Sequence, residues 1–286
     1  MNAYLSLTKP RLLPLVLFSG LPALVLATGH WPTFALGAWT LVGTALAAGA
    51  ANALNSYLER ELDARMVRTR TRPLPAGVLR PERALALGLV LSVLGTSVLW
   101  LAAGPAAAGI ALAAILFYVF IYTLWLKPRT PFAVVVGGVS GAIAPLIADA
   151  AATGRVSLSG WLLFAIIFLW QPPHFYAIAM NHRADYRAAG FPMLHDKIGD
   201  TATCRRGLYW IVSLLPVTIA PVWLGMLGWG YGVVSLALWG WFFAQAFALL
   251  RHPDGPTARK TFLVSLVYLM GTFAAMLADL ALRTPQ

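Results

Sequence analysis

The sequence predicts an all-α, polytopic membrane protein of nine transmembrane helices, N-terminus in the cytoplasm and C-terminus outside, forming a single domain over residues 1–286. Three observations carry this expectation. Of 286 residues, 59% are hydrophobic and only 11% charged, against about 25% charged in a soluble domain. The apolar residues fall into runs at 12–29, 33–54, 84–103, 106–125, 132–151, 158–179, 207–227, 231–250 and 262–281, each near the roughly 20 residues that cross a bilayer. With the N-terminus inside, every one of the 21 Lys and Arg residues except Arg155 and Arg283 lies on the cytoplasmic side, the asymmetry that orients membrane proteins. The partner implied is the lipid bilayer. A net charge of +11 would suggest nucleic acid in a soluble chain, but here the basic residues sit in connections between apolar runs, so no nucleic-acid partner is expected.

Taken in order, the first run follows Lys9 and Arg11 and imitates a signal peptide. Its length, and the short turn His30–Pro32 before the next run, read as an uncleaved first helix. The second run leads into a long charged connection, 55–83. The third and fourth meet at Gly104–Pro105, a helix-breaking pair. The fourth ends in YTLWLKPRTP, residues 122–131, where Tyr122, Lys127 and Arg129 suit anchoring at the interface. Gly137, Gly138 and Gly141 suit close helix packing in the fifth. Asp149 and Asp279, near the external ends of their spans, read as solvated helix-end residues. The sixth run ends in Gln171, Pro172, Pro173 and His174 and opens into the second long connection, 180–206. The last three follow, the seventh and eighth meeting at Gly228–Gly230. A single cysteine, Cys204, excludes an intrachain disulfide and has no zinc-site companions.

Both long connections are cytoplasmic, so chemistry is expected on that face. Four spans separate them, which makes any repeat parallel rather than inverted. Asn181 and Asp185 copy the spacing of Asn55 and Glu59, although Ala189 stands where a third acid would be.

The first connection reads NSYLERELDARMVRTRTRPLPAG over residues 55–77. On a helix, Asn55, Glu59 and Asp63 share one face at steps of about 6 Å. Two carboxylates and an amide make a partial shell for Mg²⁺, which completes its coordination with water and phosphate oxygens. Arg68, Arg70 and Arg72 follow, and guanidinium forks match phosphate oxygens. The other reading is a charged loop whose acids and arginines simply pair and set orientation. In the second connection, Asn181 and Asp185 share i, i+4 geometry and could complete a second magnesium half-site. His174 and His182 lie about two turns apart, on related helix faces. A lone histidine at such a depth is more often a hydrogen-bonded packing residue than a ligand.

The pattern N-x-x-x-D/E-x-x-x-D followed by R-T-x-x-R-P-L, carried by Asn55, Glu59, Asp63, Arg68, Thr69, Arg72, Pro73 and Leu74, resembles the first signature of the UbiA superfamily of intramembrane prenyltransferases. Glu59 stands where aspartate is usual. The second connection, WQPPHF and then DYRAAGFPML, together with SLTKPRLLPL before the first span, is similar to the haem-farnesylating branch of that superfamily. The resemblance covers most of the chain.

It implies a UbiA-like helix bundle in the bacterial cell inner membrane with a site facing the cytoplasm. The implied reaction is Mg²⁺-dependent transfer of farnesyl from farnesyl diphosphate to a vinyl group of haem B, giving haem O and diphosphate, a product that would serve terminal oxidases. Asn55, Glu59, Asp63 and Asp185 would hold metal. Arg68, Arg72, Lys127 and Arg129 would hold diphosphate, while His174, His182 and Asn181 are candidates for haem. Two alternatives remain at this point: a prenyltransferase acting on a quinone precursor such as 4-hydroxybenzoate, and a transporter. The near absence of charge along the spans argues against a transport path.

Overall fold

A computed structural model describes residues 3–11 and 13–283. Leu12, with which the first expected span begins, and both ends of the 1–286 domain lie outside the described residues. Among the described residues the chain is helical, without a strand. Seven helical stretches among the described residues are long and apolar enough to cross a membrane: Phe34–Leu58, Pro81–Leu126, Ala133–Thr153, Leu158–Asn181, Asp200–Trp223, Trp229–Arg251 and Gly255–Arg283. A shorter apolar helix, Leu13–Thr28, precedes them.

Two of these stretches are interrupted. Pro81–Leu126 is 46 residues long, which at about 1.5 Å per residue is more than twice a hydrocarbon core. It breaks at Gly104, whose φ of 88° and ψ of 172° are not helical. Only glycine takes that backbone without strain, and Pro105 then starts the next arm, where its missing N–H costs nothing. Leu99 before the break and Ala107, Ala108 and Ala111 after it pack into one cluster with Ala47, Ala50 and Ile147. The run expected at 132–151 is likewise two helices, Ala133–Gly141 and Ala144–Thr153, with Pro145 in the first turn of the second. Three glycines in the first and a proline in the second weaken the continuous ladder that an apolar count alone cannot see.

We label the helices α1 Ala3–Leu7, α2 Leu13–Thr28, α3 Phe34–Leu58, α4 Arg60–Arg65, α5 Pro81–Leu116, α6 Ala133–Gly141, α7 Ala144–Thr153, α8 Leu158–Asn181, α9 Arg183–Ala188, α10 Leu194–Ile198, α11 Asp200–Trp223, α12 Trp229–Arg251 and α13 Gly255–Arg283, with a π-helix, Phe117–Leu126, after α5. Helices α11 and α13 start about two turns before the apolar runs at 207 and 262. Their first two turns carry Asp200, Arg205 and Arg206, or Arg259 and Lys260. Charge ends an apolar run but does not end backbone hydrogen bonding.

Packing relies on small residues. A Cβ on Gly95 would stand 2.8 Å from the Ala47 amide nitrogen, and one on Gly43 2.6 Å from the Leu99 side chain. Glycine therefore lets α3 and α5 approach closely, the means by which helices gain van der Waals contact in lipid. A second core joins α2, α8 and α11–α13 through Leu24, Ile166, Ile211, Phe242, Tyr268 and Phe273. Large exposed side chains such as Leu101, Trp223 and Trp229 face outward, as lipid contact requires.

The expectation that Asp149 and Asp279 are solvated helix-end residues needs correction. Asp149 is fully buried. It accepts hydrogen bonds from the Ser157 amide (2.5 Å) and hydroxyl (2.7 Å) and from the Ser159 hydroxyl (2.8 Å). It thereby ties the end of α7 to the start of α8, and Gly160 leaves the room it needs, since a Cβ there would meet it at 2.8 Å. Asp279 of α13 accepts from the Gly228 amide at 2.8 Å, at the start of α12. Asp149→Ala is expected to lower stability by about 2–4 kcal/mol, because three donors, the Ser159 hydroxyl buried and the two of Ser157 partly so, lose their acceptor. Turnover per folded molecule should stay unchanged. Thermal unfolding in detergent, alongside an activity assay normalised to folded protein, checks both halves.

Candidate active site

The first acidic segment begins on α3 and continues through a one-residue deviation. Glu59, with φ −93° and ψ 5°, separates α3 from α4. The ladder nevertheless survives: the Glu59 amide donates to the Asn55 carbonyl (2.9 Å), and the Asp63 amide to the Glu59 carbonyl (2.8 Å). Asn55, Glu59 and Asp63 therefore keep the shared face that their spacing predicts. All three are buried, at 2%, 6% and 2% exposure. Beyond α4 the chain folds back on itself. The Thr69 hydroxyl donates to the Asp63 carbonyl (2.7 Å), and Arg72 Nη1 returns to Asp63 Oδ2 at 2.8 Å.

Each member of this triad is met by a different cation from a different part of the chain. Lys9 Nζ, between α1 and α2, donates to Asn55 Oδ1 at 2.9 Å. Lys127, just past the π-helix, donates to Glu59 Oε2 at 2.7 Å. Arg72, from the loop itself, takes Asp63. Lys127 Nζ is also 2.6 Å from Glu59 Oε1, but that oxygen is buried with no aligned donor. The other end of the Asn55 amide donates to the Thr123 hydroxyl (3.2 Å), which itself donates to the Tyr118 carbonyl (2.8 Å).

Thr123 sits in the π-helix, a widened turn that frequently marks functional sites. Tyr122 of the same helix packs on Gly137, where a Cβ would come within 2.3 Å of its ring. Burial pushes the Lys9 amine down to about 8, partly opposed by Glu59. For Lys127, burial also works against the charge, but Tyr122 and Glu59 outweigh it and hold the amine above its ordinary range. A cavity of about 50 Å³ lies among Ser6, Lys9, Ser56, Asp63 and Arg72. Ligand pockets commonly run to about 300–1,000 Å³, so this cavity is too small for a prenyl diphosphate in this form.

The second connection packs on the first. After α8, His182 (φ −116°) breaks the helix, and the six-residue α9 follows. Six-residue α4 likewise follows Glu59, so the two loops begin alike. Asp185 Oδ1 accepts from the Val67 amide at 3.2 Å. Arg68 lies 5.7 Å over the Tyr186 ring, and Lys127 4.9 Å over that of Phe191. Met66 shares a core with Ala179, Ala189, Phe191 and Met193. The two signatures therefore form one surface.

The remaining candidates divide. Asn181 Nδ2 is 3.3 Å from His182 Nε2. Burial and Arg68 lower the basicity of His182, opposed by Asp185. His174 is buried, with Nδ1 2.7 Å from the Ser265 hydroxyl and its ring stacked 4.3 Å from Trp170, so it links α8 to α13. Arg129 turns to the end of the π-helix and donates to the carbonyls of Leu124 (3.0 Å) and Trp125 (2.8 Å). It does not join the cations at the triad. Asp185 stands on the amide of the first loop. Among the described residues no three His, Cys, Asp or Glu side chains gather as a metal cluster.

The donors nonetheless suit a hard divalent cation: two carboxylates and an amide oxygen on one face, one carboxylate oxygen buried without a hydrogen bond. Lys9 is the site residue that sequence reading missed. It counted there only as a loop charge.

Residues 16–272 match the profile of the UbiA prenyltransferase family. A protoheme IX farnesyltransferase of Brucella ovis is 43% identical over 281 residues, covering 96% of this chain and 89% of the relative. The one from Gloeobacter violaceus is 44% identical, covering 98% and 92%. Among solved structures, a digeranylgeranylglyceryl phosphate synthase superposes with a TM-score of 0.81 at 18% identity, covering 97% of each chain. A UbiA homologue of Archaeoglobus fulgidus bound to GPP and Mg²⁺ gives 0.63 at 12% identity, covering 96% of this chain and 99% of its own.

Proposed function

The chain belongs to the UbiA prenyltransferase family, and on that premise we propose that it transfers the farnesyl group of farnesyl diphosphate to a vinyl group of haem B, giving haem O and diphosphate. The close relatives named for haem farnesylation support this acceptor over a quinone precursor, and nothing favours a transporter. The observation that carries the catalytic reading is the buried row Asn55, Glu59 and Asp63, each engaged by a cation that an incoming metal and diphosphate could release.

Mg²⁺, held by Asn55, Glu59 and Asp63, would draw charge off the diphosphate so that the allylic C–O bond breaks more easily. Arg72 and Lys127, freed from their carboxylates, bind phosphate oxygens, with Arg68 at the rim. Asp185 steadies the first loop through the Val67 amide and is available as a further acid beside Asn181. With water kept from the farnesyl carbon, the vinyl carbon bonds to it as its bond to the diphosphate oxygen breaks; water then adds to the resulting haem-side cation and loses a proton, which supplies the hydroxyl of haem O. Of the two histidines, His182 is the better haem contact, because it is half-exposed at the loop while His174 is enclosed and hydrogen-bonded. Arg129 acts through the π-helix end, which carries Lys127.

We further read the bundle as nine spans, N-in and C-out, in the bacterial inner membrane. The count takes Leu13–Thr28 as the first span and divides Pro81–Leu126 at Gly104. The convergence of Lys9, Arg72, Lys127 and Asp185 at one end of the bundle supports that alternation, and the haem product would serve terminal oxidases.

The experiment is incubation of membranes containing the protein with haem B and farnesyl diphosphate, with Mg²⁺ or with excess chelator, followed by chromatography of the haems. Haem O should appear with Mg²⁺ and fall to background with chelator. Unchanged haem B under both conditions, with prenylation of 4-hydroxybenzoate instead, would overturn the acceptor.

A further inference from the structure

We propose that Lys9 is a third diphosphate-binding cation of the site, parked on Asn55 until the anion arrives. The proposal rests on the reading of the triad as a metal–diphosphate site and adds to it a residue from outside both signature loops. Lys9 Nζ reaches Asn55 Oδ1 at 2.9 Å, and Lys9 lines the same cavity as Asp63 and Arg72.

Lysine at a membrane interface ordinarily extends its amine toward water. This one turns inward, at a backbone φ of 52°, the one positive φ outside glycine among the described residues. That conformation is uncommon for a lysine and persists when surrounding structure holds it. Here the holding contacts are the Asn52 amide donating to the Thr8 carbonyl (3.2 Å) and the Lys9 amide donating to the Ser6 carbonyl (3.2 Å).

Charge gives the direction of the argument. Lys127 and Arg72 each have a carboxylate, whereas Lys9 has only a neutral amide oxygen. Three cations therefore face two acids, Glu59 and Asp63, and the cluster carries one positive charge without a counterion. An under-neutralised, partly buried ammonium favours entry of an anion. Mg²⁺ with a fully ionised prenyl diphosphate, which carries three negative charges, brings one net negative charge, which balances the cluster. Movement of Lys9 onto a phosphate oxygen would also clear Asn55 Oδ1.

The test uses the purified full chain and Lys9→Met, which keeps an unbranched stem, with Lys9→Arg as the conservative partner. Inorganic pyrophosphate is titrated calorimetrically in the presence of Mg²⁺, Mn²⁺ binding is measured without pyrophosphate, and Tm is recorded for each protein. Expected are a 10- to 100-fold loss of pyrophosphate affinity in Lys9→Met, partial recovery in Lys9→Arg, Mn²⁺ affinity equal to wild type or tighter, and an unchanged or higher Tm. Pyrophosphate affinity in Lys9→Met within twofold of wild type overturns the proposal. So does a joint fall of Tm, Mn²⁺ and pyrophosphate binding, which marks a structural role. Wild-type protein that binds no Mg²⁺–pyrophosphate overturns the site reading itself, and this inference with it.

Discussion

Asp63→Ala is expected to remove haem O production, by on the order of 10³-fold or more, while the protein stays folded in the membrane. The chemical half follows from position. Asp63 is the least exposed carboxylate of the first loop, at 2%, and its removal takes away both a proposed metal ligand and the partner of Arg72. Losing a preorganised charge contact to a leaving group costs about 10²–10³ by itself, and here two such contacts change together. The folding half follows from Arg72, whose side chain is 37% exposed and can rehydrate once released. The Thr69 hydroxyl keeps its bond to the Asp63 backbone carbonyl, so the loop retains its turn. A stability cost of about 1–2 kcal/mol is anticipated. Haem chromatography and thermal unfolding measure the two effects, and haem O at wild-type level in this variant would reject the assignment.

Lys127→Met should be damaging in two separable ways. Glu59 is buried and has Lys127 as its cation, so truncating the amine leaves a carboxylate enclosed without its counterion. Breaking a buried pair from one side costs about 3–5 kcal/mol. Turnover should fall about 100-fold or more, since the freed lysine is read as a phosphate ligand. Adding Glu59→Gln removes the stranded charge. The double variant is therefore expected to regain most of the lost stability and none of the turnover. A double variant that recovers activity along with Tm would mean that the pair is structural only.

Much of this was legible in the sequence, for physical reasons that differ by residue. Apolar run length announces the membrane-spanning helices, because the bilayer sets it. Gly104–Pro105 announces a break, because glycine and proline act locally. Asn55, Glu59 and Asp63 share a face by periodicity alone, and the ladder across Glu59 preserves it.

The unreadable parts depend on contacts between distant segments. The π-helix at Phe117–Leu126 leaves no signature in a run that is apolar all round. Asp149 looks like an interfacial acid until Ser157 and Ser159 close over it. Arg129 and Lys127 are two residues apart in sequence, yet one caps a helix and the other holds an acid. Lys9 becomes a site residue only through a backbone turn that composition does not encode.

The central claim is that the carboxylate of Asp63 and its neighbours hold a divalent ion against diphosphate. The direct measurement is electron paramagnetic resonance of Mn²⁺ added with pyrophosphate to the wild-type protein and to Asp63→Ala. The account predicts a bound Mn²⁺ with phosphorus coupling in the wild type and its loss in the variant. The same coupled signal at equal affinity in both proteins would contradict it.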